Sequence, residues 1–325
     1  MLGELALGSL SSAEKVLLDT GPSVTLGGGN KDHADSMGQP LFRKILLAID
    51  ATPASRAAAV AIAHLAAPMK SEVLVLHVWN LEPRMKEGLI DIETQRDARL
   101  LVDDVVERLR EAGVAASSEL VNAATKKVGP AIEKAAEAFG ADLMAVGSRG
   151  LSDLAGVFAG SVSHRLLADL DCPVLVASGA PARPEPFRRL LLAISCEAES
   201  GPLGDLAAAI AKPVAASVLV FHVAFRATGA EGYVYVEPSS EAQAVVDLAV
   251  ARIRAQGVEA EGRVGAAVHP IAEEIATVAQ KWDADLIISG SRRHRDLAAL
   301  VVGSTEHELI RQAHRPVLIA GRSKG

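Results

Sequence analysis

The sequence predicts an α/β protein of two tandem doubly wound units, each a five-stranded parallel sheet (order 3-2-1-4-5) flanked by helices. Three observations predict this class. Short apolar runs alternate with helical patterns, which is typical of β–α–β crossovers in a parallel sheet. The pattern occurs twice, with a proline-rich stretch between the copies. The length of 325 residues also suits two domains of ordinary size.

The two copies are visible as matched stretches. Three segments of the first half recur in the second: FRKILLAID at 42–50 as FRRLLLAIS at 187–195, VLVLHV at 73–78 as VLVFHV at 218–223, and ADLMAVGSR at 141–149 as ADLIISGSR at 284–292. The sequence therefore predicts a first domain at 41–178, a linker at 179–186 and a second domain at 187–325.

Residues 1–40 form an extension before the first domain. Positions 8–18 and 22–26 resemble the stretch from Gly160 to Val176, if one residue is inserted. We interpret them as the last helix and strand of a partial unit, followed by a glycine-rich linker. An accidental match in a disordered extension is the alternative.

The elements of the first domain follow from apolar patterns and capping residues. Strands are predicted at 44–49, 72–78, 116–121, 142–146 and 174–177, and the first two are expected to be buried. Thr52 as N-cap and Pro53 in the first turn predict a helix that ends near Ala67. Further helices are predicted at 87–111, stopped by Gly113, at 130–139, closed by Gly140, and at 162–170.

A candidate site lies where the strand order of a doubly wound sheet reverses, outside the carboxyl ends of neighbouring strands. Asp50 follows the first strand and Gly147 follows the fourth, so both flank this point. Gly147 opens the pattern G-x2-G-x9-G-S, which continues with Gly150, Gly160 and Ser161. Such a loop turns backbone N–H groups inward, and the helix after it favours anions at its N-terminus. A nucleotide site is predicted; a glycine-rich loop that binds nothing is the alternative.

These motifs resemble the universal stress protein family, in its tandem-domain, ATP-binding form. The glycine signature and Ala48-Ile49-Asp50 carry the resemblance, which covers about residues 41–322. It implies that Asp50 lies near adenine or ribose and that Val78 meets the base through its backbone. The nucleotide contacts implied at the strand ends and in the loop are Ala48, Ile49, Val146, Gly147, Arg149 and Gly150, and the phosphate contacts are Gly160, Ser161, Val162 and Ser163.

The resemblance also implies a cofactor and a mode of pairing. ATP is expected with Mg²⁺, a metal held largely by phosphate and water, since dedicated protein ligands are not recognisable. Units of this family pair through their last strands, which implies either a homodimer or a pseudo-dimer within one chain.

The second half departs from the signature at two places. Ser195 stands where the first half has Asp50, and Arg293 replaces the second glycine. Arginine is unfavourable where positive φ or close backbone approach is needed. We therefore predict a degenerate site that keeps the fold; a second ATP site, in which the arginines at 292, 293 and 295 attract an anion, is the alternative.

Composition excludes several classes of function. A net charge of -7, a pI near 5.8 and 3% aromatic residues argue against nucleic acid as a partner. Without a long apolar run or a signal peptide, and with Cys172 and Cys196 as its cysteines, the chain is expected in the cytoplasm, away from membranes.

No catalytic constellation is recognisable in the sequence, including a P-loop or a G-x-S-x-G elbow. His77 and His222, which recur at equivalent places, are expected to be structural, and Glu306, His307 and Glu308 to form a solvated face. The chain is predicted to be an ATP-binding stress-response and regulatory protein, with the nucleotide mainly in the first domain. The alternatives are a weak ATPase or nucleotide-dependent enzyme, and a nucleotide-free scaffold.

Overall fold

The computed structural model describes residues 41–79, 84–86, 89–91, 94–124, 127–148, 172–178, 185–224, 226–228, 234–266, 270–290 and 304–321. Three predicted features lie outside these ranges: the extension at 1–40, the helix at 162–170 and residues 179–184 of the linker.

The first unit contains seven strands and three helices within the part described. They are β1 Lys44–Ile49, α1 Pro53–Met69, β2 Glu72–Trp79, β3 Arg84–Lys86, β4 Leu89–Asp91, α2 Gln95–Glu111, β5 Ala115–Asn122, α3 Val128–Phe139, β6 Leu143–Gly147 and β7 Val174–Ala177. The main sheet has the order β5-β2-β1-β6-β7, and every neighbouring pair in it is parallel. This confirms the predicted order 3-2-1-4-5.

The second unit repeats the first. Its elements are β8 Arg189–Ile194, α4 Glu197–Ala211, a 3₁₀ turn Lys212–Val214, β9 Ser217–Ala224, β10 Arg226–Thr228, β11 Val234–Val236, α5 Ser239–Ala255, β12 Ala260–Ala266, α6 Ile271–Lys281, β13 Leu286–Ser289, α7 Ser304–Gln312 and β14 Val317–Ile319. The order β12-β9-β8-β13-β14 is again parallel throughout.

The last strands of the two units pair with each other. β7 and β14 run antiparallel, with Leu175 opposite Leu318 and Val176 opposite Val317. Both leucines are fully buried. The two sheets therefore continue as one sheet of ten strands.

Each central strand is buried on both faces, as its continuous apolar sequence predicts. In β1, Ile45, Leu47 and Ile49 belong to the core layer under α1 and α2, whereas Leu46 and Ala48 belong to the layer under α3. Each layer extends through residues of both units. The helices packed on the two faces of the sheet therefore fix the positions of the strand ends relative to one another.

One predicted helix begins later than expected. α2 starts at Gln95, because Thr94 and Asp97 form a capping box in which each side chain accepts the other's backbone N–H. The residues assigned to its first turns include Leu89–Asp91, which instead pairs with Arg84–Lys86 as an antiparallel hairpin. At the end of α1, the helix continues through Pro68 to Met69, beyond the predicted Ala67.

An aspartate ties the start of each first strand to the start of the fourth. The Asp142 carboxylate accepts the N–H groups of Arg43 and Lys44 at 2.8 and 3.0 Å. Asp285 accepts those of Arg188 and Arg189 at 2.8 and 2.9 Å. Burial raises the pKa of Asp142 above its usual value, and it outweighs the opposing effect of these N–H donors.

Among the helices of the described ranges, none is long and apolar enough to cross a membrane.

Replacing Asp142 by Ala should lower the free energy of unfolding by about 1–3 kcal/mol, because two backbone donors lose their acceptor. Urea unfolding followed by circular dichroism measures this change. The control is Glu137→Ala, since Glu137 is an exposed residue of the neighbouring helix α3. This substitution should change the free energy of unfolding by no more than about 0.5 kcal/mol. Equal effects of the two substitutions would contradict the role assigned to Asp142.

Candidate functional site

Three neighbouring strands of the first unit end at one edge of the sheet. Ala48 of β1 lies between Val146 of β6 and Leu76 of β2. Asp50, which follows β1, and Gly147, which ends β6, therefore lie side by side, and Val78 of β2 lies next to them. The sequence predicted this convergence. Six predicted contacts lie outside the residues described: Arg149, Gly150, Gly160, Ser161, Val162 and Ser163.

The apolar members of the predicted site are core residues. Ala48, Val78 and Val146 pack in the layer under α3, and Ile49 packs in the layer under α1. All four are at most 9% exposed. At the edge of the sheet, these four residues therefore present mainly backbone N–H and C=O groups.

Asp50 is tied into the start of helix α1. Its Oδ1 accepts the Thr52 N–H at 3.0 Å, the Thr52 hydroxyl, and the Ser55 hydroxyl at 2.7 Å. Ser55 Oγ in turn accepts the Asp50 N–H at 2.9 Å. Thr52 is the N-cap, as predicted, and its hydroxyl accepts the Ser55 N–H.

Sequence reasoning missed Ser55. Its signal is a hydroxyl in the first turn of the helix, two residues after Pro53, where it can reach back to the strand end. Ser55 is 4% exposed, so this bond network fixes the half-buried Asp50 against the helix start.

Gly147 is required by packing. A Cβ built on this residue would lie 2.5 Å from Ser55 N and 2.6 Å from Ala54 C. Both atoms are backbone, so neither can rotate away. The first glycine of the signature thus lets the end of β6 approach the first turn of α1.

The second unit builds the same corner with other residues. Ser195 replaces Asp50, and a carboxylate is supplied instead by Glu199, in the first turn of α4. Glu199 Oε2 accepts the Ser195 N–H at 2.9 Å and the Ser195 hydroxyl at 2.7 Å. Sequence reasoning missed this contact; a glutamate four residues after the strand-end serine is its signal.

Gly290, the counterpart of Gly147, has different neighbours. A Cβ built here would lie 3.0 Å from Glu199 Oε1 and 3.2 Å from Leu203 Cδ1. These atoms are the ends of side chains. In the second unit the Glu199 carboxyl group therefore lies beside the strand end, in place of helix backbone.

Both strand-end histidines are structural, as predicted. His77 Nδ1 donates to Ile49 O at 2.8 Å, and His222 Nδ1 donates to Ile194 O at 3.0 Å, since a carbonyl can only accept. His222 Nε2 also lies 2.9 Å from Glu237 Oε2.

The expected solvated face at 306–308 is not observed, because Glu306 is buried and His307 and Glu308 are half-buried. Glu306 is only 4% exposed, because its position in α7 faces the protein. Glu308 pairs with Arg311 on the same helix.

Two doubly wound α/β units, each with a parallel sheet whose strand order reverses beside its first strand, define the class of this protein. The model of the universal stress protein family matches residues 41–178 and again residues 186–321. The chain therefore belongs to the universal stress protein family, with the family domain present twice.

Individual relatives agree with this assignment. The chain is 31% identical to universal stress protein YxiE of Bacillus subtilis, over 42% of this chain and 99% of that protein. It is 33% identical to a Thermus aquaticus universal stress protein, over 42% of this chain and 98% of that protein. A crystal structure of a universal stress protein from Archaeoglobus fulgidus shares the fold, with a TM-score of 0.66 and 23% identity over 87% of this chain and 97% of that one.

Gly147→Ala should destabilise the protein by about 1–3 kcal/mol, because its Cβ would meet backbone that cannot move without shifting helix α1. Gly290→Ala is the matched control: its neighbours are side-chain ends, so the cost should be clearly smaller. Urea unfolding of both variants without nucleotide measures the difference. A larger loss for Gly290→Ala would show that the close approach at Gly147 is not the constraint.

Proposed function

We propose that this protein is a regulatory ATP-binding member of its family, with the nucleotide held mainly by the first unit together with Mg²⁺. One observation carries the proposal: Asp50 and Gly147 lie side by side at the reversal of strand order, where doubly wound sheets bind ligands. Gly147 is also the first residue of the glycine signature, so the predicted phosphate loop leaves the sheet at this edge.

Each part of the corner suits one part of a nucleotide. Asp50 carries a carboxylate suited to ribose hydroxyls or to a base edge, and the backbone near Val78 suits the base. The glycine signature from Gly147 to Ser163 is expected to supply N–H groups suited to phosphates. Mg²⁺ would be held chiefly by phosphate and water.

Regulation fits this corner better than catalysis does. Asp50 Oδ1 accepts hydrogen bonds from Thr52 and Ser55, so Asp50 orients the helix start in addition to the ligand contact proposed for it. We infer that occupancy of the crevice changes how the protein meets its partners. The pairing of β7 with β14 supports the pseudo-dimer within one chain, and we expect a cytoplasmic location and no nucleic acid partner.

Gly160→Val should abolish ATP binding while the fold is retained, because a branched Cβ would crowd the phosphate position. Equilibrium dialysis with radiolabelled ATP and Mg²⁺ measures binding, and circular dichroism checks the fold. Gly201→Ala is the control, since a Cβ there meets nothing within 4 Å. Unchanged affinity in Gly160→Val, or no ATP binding by the unmodified protein, would reject the proposal.

Single-turnover phosphate release separates a regulator from an ATPase. The unmodified protein should release phosphate no faster than Asp50→Ala does, because no acid, base or positioned water is assigned near the γ-phosphate. Rapid release that is lost in Asp50→Ala would instead favour an enzyme.

A further inference from the structure

We propose that Arg110 and Arg254 keep the two outer edges of the ten-stranded sheet closed to a second copy of this chain. The strands at these edges are β5 and β12, and in the described part of the chain each has one neighbouring strand, β2 or β9. An edge strand directs a row of backbone N–H and C=O groups away from the sheet, where a strand of another molecule can pair with them. An edge of this kind leads to association unless it is protected.

In the first unit, Arg110 bonds an outward-facing carbonyl of β5. The Ala123 N–H, directly after this strand, donates to Trp79 O at 3.1 Å, so the odd-numbered residues face β2. Successive residues of a strand direct their backbone groups to opposite sides, and Ala116 therefore faces the free edge. Arg110, in the last turn of α2, donates its Nε and Nη2 groups to Ala116 O at 3.1 and 2.8 Å.

The second unit repeats this arrangement at the other end of the sheet. Glu259 O, directly before β12, accepts the Val218 N–H of β9 at 2.9 Å, so the next residue, Ala260, faces the free edge. Arg254, in the last turn of α5, donates its Nε and Nη2 groups to Ala260 O at 2.9 and 2.7 Å. The same contact is therefore present at both ends of the sheet.

Two properties of the guanidinium group make this contact a block. A carbonyl oxygen has two lone pairs, and Nε and Nη2 of one arginine use both, so none is left for the N–H of an added strand. The group is also permanently charged and carries only donors, which would face the N–H groups of an approaching strand. Both arginines are exposed, so this charge lies where another molecule would approach.

A second copy of the chain offers a complementary strand to the β12 edge. An antiparallel pairing centred on the outward-facing Gly262 would place Glu261 opposite Arg263 of the second copy. These two exposed side chains form an ion pair within one chain, and opposite charges across a strand pair are also favourable. The pairing would need Ala260 O as an acceptor, and Arg254 already occupies it. The antiparallel pairing of β7 with β14 shows that equivalent strands of this fold can join in this way.

The experiment replaces each arginine by methionine, which keeps a long side chain and removes the donors. The variants are Arg110→Met, Arg254→Met and the two combined. The matched control combines Arg108→Met with Arg252→Met, because these arginines lie in the same last helical turns but bond carboxylates instead of the sheet edge. Analytical ultracentrifugation over a range of protein concentrations measures the mass, and urea unfolding verifies that each variant is folded.

Opening one edge allows two copies to pair and no more, so each single variant should reach about twice the mass of the unmodified protein as the concentration rises. Opening both edges allows every copy to pair twice, so the combined variant should form open-ended assemblies. The control should have the mass of the unmodified protein at every concentration. Folded methionine variants that keep this mass, or a control that assembles equally, would overturn the inference.

Ser118→Pro distinguishes edge pairing from association that follows a loss of stability. Ser118 faces the free edge as Ala116 does, so a proline there removes an outward N–H and leaves the bonds to β2 in place. Added to Arg110→Met, it should return the mass to that of the unmodified protein, although it restores no lost bond of the arginine. Assemblies that persist in the folded Arg110→Met, Ser118→Pro variant would overturn the inference for the β5 edge.

Discussion

The N–H group that follows the first strand of each unit needs an acceptor, because the strand ladder ends there while the chain is still partly buried. In the first unit Ser55 Oγ accepts the N–H of Asp50, and in the second Glu199 Oε2 accepts that of Ser195. Both acceptors come from the first turn of the next helix. The helix start is thus fixed to the strand end, at the edge of the sheet where the strand order reverses.

The two units supply this acceptor from side chains of different length. The difference in length also changes what lies beside the end of the neighbouring strand. A short serine lets helix α1 approach until its backbone meets Gly147. The longer Glu199 places its carboxyl group beside Gly290. Beside the fourth strand, the first unit therefore has helix backbone and a strand-end carboxylate, and the second has a carboxylate that reaches from the helix. The two units therefore share the strand order of the sheet but differ in the residues that join the first strand to the next helix.

Features set by local pattern could be predicted from the sequence, and features set by side-chain direction could not. The sequence pattern located the five strands of the first unit's main sheet, and the positive φ of Gly113 and Gly140 agrees with the predicted helix ends. The convergence of Asp50 and Gly147 followed from strand order alone. The start of α2 was missed because the apolar pattern continues across the hairpin at 84–91. The bond between Glu199 and Ser195 was missed because a glutamate is common in the first turn of a helix. Its presence there does not by itself indicate a contact with the preceding strand.

Gly147, the first glycine of the signature, illustrates that a sequence motif alone is weaker evidence for ligand binding than the contacts that its residues make. Gly147 is needed to pack β6 against α1, whether or not a nucleotide is present. Gly290 is retained in the second unit, where Glu199 faces it and the second glycine of the signature has become Arg293. A glycine at this position is thus compatible with either neighbour, helix backbone in the first unit and a carboxylate in the second. What distinguishes the two corners is the origin of the carboxylate, which comes from the strand end in the first unit and from the first turn of the helix in the second.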